Sequence, residues 1–471
     1  MLRSTLLLAL AALVPCCSPD STPQPERAAP PSFILVSLDT MRADHVGAYG
    51  YERDTTPRFD ALAAQGILFD SAVTTAANTL LAHASMLTGL FPLAHGANHR
   101  DGGRALSDSC RTLAEDFAAA GYATAGFTGH AVWLNSEFGI DQGFDHFDSS
   151  WDDADTILAK AAAWVEAQGD RPFFLFVHLY DIHSEFEGRP YDAQPPFAGR
   201  WTAAYDGPFA SDWDTRQPAG SQLLRAVEEG TVPSTPADIA HFVDQYDEGL
   251  ASTDHRLGRF VDGLPEAVSD RSYLVVTSDH GESFLDHGTM LHRFVFEEVI
   301  RVPLLIVPPR RLDQPLGPPR HVPEQVSLVD VRPTLLGLAG LPSGEWVQGA
   351  DLSAWLAGSG ARCPSGPASL HMQALRFDGY KMIHLNPMGS PQLFHLADDP
   401  GERHDLAGDP AQTQRMVQMV SSLKGALREQ TEIYSALVAL QEGGSLDVEM
   451  DDEAQQDLRA LGYLGDEDDS H

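Results

Sequence analysis

Four stretches of this chain run apolar with no polar alternation: Phe33–Leu38 (FILVSL), Phe173–Leu179 (FFLFVHL), Tyr273–Ser278 (YLVVTS) and Val302–Val307. A strand with one wet face alternates polar and apolar residues, so runs of this kind belong to strands covered on both faces. Helical patterns separate them. Thr56-Pro57 reads as N-cap and N1 of a helix that Gly66 closes. Leu113–Ala120, Asp155–Ala167 and Ala237–Leu264 are also helical in pattern, and Ile67–Val73 and Tyr122–Phe127 add strands. Such alternation predicts an α/β fold, a mostly parallel central sheet flanked by helices, over residues 33–344. After about residue 345 shorter strands precede a helix across Thr413–Leu440, which predicts a smaller C-terminal α+β subdomain, 345–444. Residues 184–235 lack periodicity and are rich in Pro, Gly and acidic side chains. So long an irregular stretch inside a compact domain predicts an insertion that serves as a lid or binding loop.

Charge narrows the partners. The chain carries 67 acidic and 31 basic side chains, a formal net charge of −36, part of it in an acidic tail at 445–471. That balance excludes tracking along a nucleic acid, which needs Lys and Arg to neutralise phosphates. An anionic small substrate stays compatible, because a metal ion or a few local cations can reverse the field in one cleft. At the other end, residues 1–17 read as a signal peptide, with Met1-Leu2-Arg3 ahead of the nine-residue apolar run Leu6–Val14. That run falls short of the ~20 residues a membrane span needs. Cys16 and Cys17 then precede a Pro-rich linker, 18–32, an arrangement that resembles a bacterial lipoprotein. The expectation is an exported protein, either a periplasmic or lipid-anchored lipoprotein or a soluble secreted one. Cys110 and Cys363 have no metal-binding or redox spacing and read as two buried thiols.

In open α/β sheets ligands bind beyond the carboxyl ends of the strands. Phe33–Leu38 runs into Asp39, Tyr273–Ser278 into Asp279-His280-Gly281-Glu282, and Phe173–Leu179 into Tyr180-Asp181-Ile182-His183. Two carboxylates and imidazole at neighbouring strand ends would suit one divalent cation, with Zn or Mn favoured over a purely oxygen-loving ion.

These ends lie within longer segments. Ile34–Tyr51 (ILVSLDTMRADHVGAYGY), Thr79–Gly96 (TLLAHASMLTGLFPLAHG), Thr277–Glu282 (TSDHGE), Ile300–Val307 (IRVPLLIV), Val326–Gly340 (VSLVDVRPTLLGLAG), Leu393–Leu406 (LFHLADDPGERHDL) and Leu458–Leu464 (LRALGYL) follow one another along nearly the whole mature chain. In this order they resemble the sulfatase family of the alkaline-phosphatase superfamily, which implies an alkaline-phosphatase-like fold. The family places a Cys or Ser nucleophile at a helix start, in Cys/Ser-x-Pro-x-Arg, followed by Leu-x-Thr-Gly. Counted back from Leu87-Thr88-Gly89, the nucleophile position is Thr79, the arginine position is His83 and Leu81 replaces the proline. Threonine cannot give the aldehyde that family sulfatases derive from Cys or Ser. A threonine hydroxyl activated by a cation can attack directly, as in the phosphodiesterase and phosphoglycerol-transferase branches.

The resemblance also implies a ligand set. Asp39, Thr79, Asp279 and His280 correspond to one metal site, with Thr40 in place of a second family aspartate and His280 in place of an asparagine. One carboxylate fewer and one imidazole more favour Mn or Zn over Ca. A second metal would draw on Asp181, His183, His287 and His292. His183 and His292 fall where the family has substrate-binding His and Lys, and either can assist the leaving group. His83, His287 and Arg293 are further candidates for binding the anion, whereas His178 and His95 read as structural. The implied activity is metal-dependent hydrolysis or transfer of a phosphate or sulfate ester on a small molecule, glycan or lipid. The alternatives are a true sulfatase with another nucleophile, or a catalytically inactive binding protein of the same fold.

Overall fold

The computed structural model describes residues 30–98, 103–129, 132–184, 190–191, 193–210, 220–311, 316–359, 362–366, 368–370, 374–384 and 390–441. The signal peptide, Cys16 and Cys17, most of the linker, the 458–464 motif and the acidic tail lie outside the described residues.

Nine strands make the large sheet: β1 (Ser32–Leu38), β2 (Ile67–Val73), β3 (Ala123–Thr128), β4 (His146–Asp148), β5 (Phe173–Leu179), β6 (Ser272–Thr277), β7 (Arg301–Val302), β8 (Leu304–Val307) and β9 (Arg320–Ser327). Their order is β4-β3-β5-β1-β6-β8-β2-β7, with β9 beside β2. The β3, β5, β1 and β6 centre is parallel, while β8 runs antiparallel to both β6 and β2. The expected single strand at Val302–Val307 is two, because Pro303 lacks an amide to extend a ladder and parts β7 from β8.

The lack of polar alternation has the anticipated cause. Phe33, Leu35, Phe174, Phe176, Tyr273 and Val275 bury on one face of the sheet, against Leu80, Leu81, Ala84 and Leu87 of the helix Thr79–Thr88. Ile34, Val36, Leu175, Val177, Leu274 and Val276 bury on the other, against the helices Ala154–Gln168 and Pro236–Gly263. Burying each such side chain contributes about 1.5–3 kcal/mol, so a polar substitution on either face is costly.

Four antiparallel strands, β10 (Ala368–Leu370), β11 (Ala374–Phe377), β12 (Tyr380–Ile383) and β13 (Gln392–His395), make a separate small sheet. The helix Thr413–Leu440 covers it, packing Met419 and Leu423 on Leu375, Met382 and Leu393. On its other side Ala374, Ile383 and Phe394 meet Val295, Phe296 and Val299, so the small sheet buttresses the segment after β6.

The 184–235 stretch is less irregular than expected. Gly220–Glu228 is a helix that buries Leu223, Leu224 and Val227, a period the surrounding Pro and Gly content obscures. The carboxylate of Glu248 accepts backbone N–H bonds from Gly199, Trp201 and Thr202, which pins the described part of the insertion to the helix Pro236–Gly263. The thiols also differ from expectation: both are free, but only Cys110 is buried, while Cys363 sits in a half-exposed loop.

Candidate active site

Three strand ends converge because the register of β5, β1 and β6 is level. Leu38 pairs with Leu179, Ser37 pairs with Thr277, and the Asp39 amide donates to the Leu179 carbonyl at 2.9 Å. The chain turns sharply after Asp39, with Thr40 at φ 53°, a left-handed conformation that a non-glycine residue holds only when its surroundings impose it. Tyr246 Oη imposes it here, donating to the Thr40 carbonyl and accepting from the Arg42 amide, both at 2.8 Å. Ser278 Oγ ties the neighbouring end in place by accepting from the Met41 amide and donating to the His280 carbonyl. Thr40, in the position of the missing aspartate, turns its hydroxyl to the Ile182 carbonyl.

The helix Thr79–Thr88 starts over these ends. Asn78 is the N-cap, its side chain accepting from the Leu81 amide, and Thr79 is the first helical residue. Thr79 Oγ1 lies 3.4 Å from Asp39 Oδ2 and 3.5 Å from His280 Nε2, and His280 Nε2 lies 3.4 Å from Asp279 Oδ2. Asp39, Asp279 and His280 have no exposed surface and Thr79 has 1%. The His280 Nδ1–H donates to the Gly281 carbonyl at 3.0 Å, which leaves its Nε2 lone pair facing the other three.

Whether these residues suit a cation can be judged from what they lack. Asp39 Oδ1 and Asp279 Oδ2 are buried with no hydrogen-bond partner, and an unpaired buried carboxylate is among the most costly groups a protein can hold. Burial pushes the Asp39 carboxyl above its ordinary range. Burial also opposes charge on His280, but Asp279 and Asp39 outweigh it and raise the imidazole. The ligand atoms of Asp39, Asp279 and His280 lie within 4.8 Å of one another, and the Thr79 hydroxyl stands 3.4–3.5 Å from Asp39 and His280, close enough for one ion to be shared. The donors fit a small divalent cation.

The other histidines separate by their partners. His183 Nδ1–H donates to the Ser184 carbonyl at 2.9 Å, and its buried Nε2 has no hydrogen-bond partner; burial lowers its pKa to about 4. His292 stacks on His280 with centroids 4.2 Å apart and stands edge-on to His183 at 5.1 Å. Burial holds it well below the ordinary histidine range. The structure therefore gathers Asp39, Thr79, Asp279, His280, His183 and His292 in one place.

It does not gather the rest. His83 Nδ1–H donates to the Thr79 carbonyl and its Nε2 accepts from Ser37 Oγ, so both nitrogens are used within the fold. His287 engages Glu298 and the Glu402 carbonyl and stacks on Phe296. Arg293 pairs with Glu228 and Asp181 with Arg256. No group of ligand atoms within 4.8 Å of one another combines Asp181, His183, His287 and His292 among the described residues. His83, His178 and Asp279 do form such a group, but the commitments of His83 leave it no free lone pair for an ion.

The sequence reading takes His178 as structural and gives Glu282 no role, and both stand beside the site. His178 Nε2 lies 3.1 Å from Asp39 Oδ2, fully buried and kept neutral, with a pKa lowered to about 4 by burial, so it donates to the carboxylate. Strand parity contains this signal, since Phe174 and Phe176 face the helix Thr79–Thr88 and His178 continues that side. Glu282 is also fully buried, accepting from Tyr191 Oη at 2.9 Å.

A level row of parallel strand ends, a helix-borne hydroxyl and a buried carboxylate–imidazole set make one site at the carboxyl edge of the sheet, in the fold of a family of ester hydrolases. Residues 31–341 match the family model described as Sulfatase, and the chain belongs to the sulfatase family. It is similar to an N-acetylglucosamine-6-O-sulfatase of Bacteroides thetaiotaomicron, 23% identical over 89% of this chain and 90% of that protein. Its fold is similar to that of a phosphonate monoester hydrolase of Agrobacterium radiobacter, with a TM-score of 0.67 at 19% identity over 85% of this chain and 96% of that one. A phosphonate monoester hydrolase of Silicibacter pomeroyi superposes with a TM-score of 0.65 at 17% identity over 89% and 100%.

Proposed function

We propose that this protein is a metal-dependent hydrolase of a phosphate, phosphonate or sulfate ester in which Thr79 is the nucleophile. The carrying observation is the placement of Thr79 Oγ1 3.4 Å from Asp39 Oδ2 and 3.5 Å from His280 Nε2. A divalent cation held by Asp39, Thr79, Asp279 and His280 would lower the pKa of the hydroxyl and offset charge on the transferred group. The imidazole and the small number of carboxylates favour Zn or Mn over calcium, which takes about 6–8 oxygens. Thr79 Oγ1, its proton released toward Asp39 Oδ2 and on to water, attacks phosphorus or sulfur in line with the leaving oxygen, forming a threonyl ester as the bond to the leaving group breaks. His183 Nε2 faces the transferred group, and His292, which burial keeps neutral until the anionic ester binds, takes up a proton with the ester and passes it to the leaving oxygen. Water then cleaves the threonyl ester, or a second alcohol accepts the group.

Both a sulfatase relative and phosphonate hydrolase neighbours support an ester of this general kind. Threonine at position 79 and histidine at 280 favour phosphorus. Export, with or without a lipid on Cys16 or Cys17, belongs to the same proposal and rests on residues 1–17 alone; no helix among the described residues is long and apolar enough to cross a membrane.

The test pairs metal analysis with turnover of an aryl phosphodiester and an aryl sulfate by wild type and Thr79→Ala. Bound Zn or Mn, with phosphodiester turnover abolished in the variant, is expected. Aryl-sulfate turnover that survives Thr79→Ala would instead point to another nucleophile. Stoichiometric metal with no turnover of any ester would point to a binding protein.

A further inference from the structure

The insertion sends the Tyr191 side chain to a carboxylate two residues beyond His280. Tyr191 is fully buried and sits at φ 58°, a left-handed conformation that a tyrosine holds only under constraint. Its ring stands edge-on to Tyr246, with centroids 5.5 Å apart, and to Phe284 at 5.6 Å. Packing alone would be served by phenylalanine. The hydroxyl, however, donates to Glu282 Oε2 at 2.9 Å. The other carboxylate oxygen, Oε1, accepts from the Ser283 amide at 3.2 Å and lies 3.5 Å from His292 Nδ1. Glu282 is two residues beyond His280, and the His292 ring lies flat against that of His280 with an interplanar angle of 24°. A hydrogen bond and then a 3.5 Å approach of opposite polarity thus lead from the insertion, through a buried carboxylate, to the imidazole assigned to the leaving oxygen.

We infer that Tyr191 is a positioning residue that acts through Glu282. The hydroxyl fixes the carboxylate, whose Oε1 lies 3.5 Å from His292 Nδ1 without a hydrogen bond between them, so the held charge biases the ring toward the orientation that turns Nε2 to the leaving group. The arrangement follows the way a second carboxylate orients a functional imidazole. It also makes the insertion part of the catalytic apparatus, where a passive cover would have no effect on the choice of leaving group. This inference rests on the role given to His292 above.

The test uses the full chain with bound metal and a series of substituted-phenyl esters of the acid that turns over, phosphodiester or sulfate. An oriented proton donor matters little when the phenol is acidic and much when it is not. Tyr191→Phe and Glu282→Gln should each lower kcat about tenfold for weakly acidic phenols and by less than about twofold for the most acidic, with KM and metal content near wild type. Tyr191→Phe should add nothing further in a His292→Ala background, because the two act as one unit. A uniform fall across the series, a loss of bound metal, or multiplicative effects of Tyr191→Phe and His292→Ala would overturn the inference by showing a general structural role. Wild-type profiles for Tyr191→Phe and Glu282→Gln beside a defective His292→Ala would overturn it alone. Wild-type turnover by His292→Ala would overturn the role of His292 itself, and this inference with it.

Discussion

Asp39→Asn should make the metal-free protein more stable while removing the stabilisation that metal provides. Asp39 has no exposed surface; its Oδ1 has no partner, and its Oδ2 has only the Thr79 hydroxyl at 3.4 Å and the His178 imidazole at 3.1 Å. Those two neutral donors offset part of the desolvation of the charge, so removing the charge should return about 1–3 kcal/mol to the metal-free fold. In wild type, a cation present at 100 times its dissociation constant should add about 2.7 kcal/mol. With an unfolding entropy of ~2.1 cal/mol/K per residue over roughly 440 residues, ~0.9 kcal/mol/K, that is a rise in Tm of about 3 °C. Scanning calorimetry on chelator-treated and metal-loaded samples of both proteins reads each quantity. The variant should melt 1–3 °C above metal-free wild type and respond little to Zn or Mn. A metal-free variant that melts below wild type, or equal metal shifts in the two, would refute the view that Asp39 carries a charge awaiting a cation.

Other expectations follow from single groups. His178→Phe removes the donor to Asp39 and keeps the shape of the ring, so it should weaken Mn or Zn binding about 10–100-fold in a calorimetric titration. Arg332 is buried between Asp116 and the Thr88 carbonyl at the end of the helix that carries Thr79. Arg332→Met removes the donors to Asp116 Oδ2 and the Thr88 carbonyl, while Arg111 still pairs with Asp116 Oδ1, and should cost about 1–3 kcal/mol, measured by urea unfolding. Asp254 accepts the Arg58 and Phe59 amides at the start of the helix Pro57–Ala63, and burial raises its pKa to about 7 from 3.8. It binds its proton more tightly folded than unfolded, so its contribution is complete below about pH 4 and lost as pH rises through 7. Asp254→Asn should flatten the stability profile in that window, and an unchanged slope between pH 4 and 7 would count against this.

Much of the architecture was legible because burial on both faces leaves a direct mark on a strand. The runs at Phe33–Leu38 and Phe173–Leu179 needed no partner to be recognised, and a polar residue at the end of a buried strand has few places to go other than a site. Asp39, Asp279, His280 and His183 could therefore be named from spacing and family likeness. Asp39, Asp279 and His280 converge because the β1 and β6 ends are level, a property of register, and Thr79 joins them because its helix starts over those ends.

Tertiary structure decided the remainder. His83, in the family arginine position, is withdrawn from the substrate by Ser37 and the Thr79 carbonyl, and His287 by Glu298 and Glu402. A sequence places an imidazole but does not show which partners its two nitrogens find across the fold. His178 illustrates the converse, a residue in an apolar strand that becomes a donor to Asp39 only once the helix Thr79–Thr88 is laid on its face of the sheet. Tyr191 lies in a stretch with no periodicity, and nothing local distinguishes it from the other aromatic residues there. Local chemistry and periodicity specify which elements form and which groups could react. Pairing across more than a hundred residues specifies which of those groups meet, because orientation and burial are properties of the packed chain.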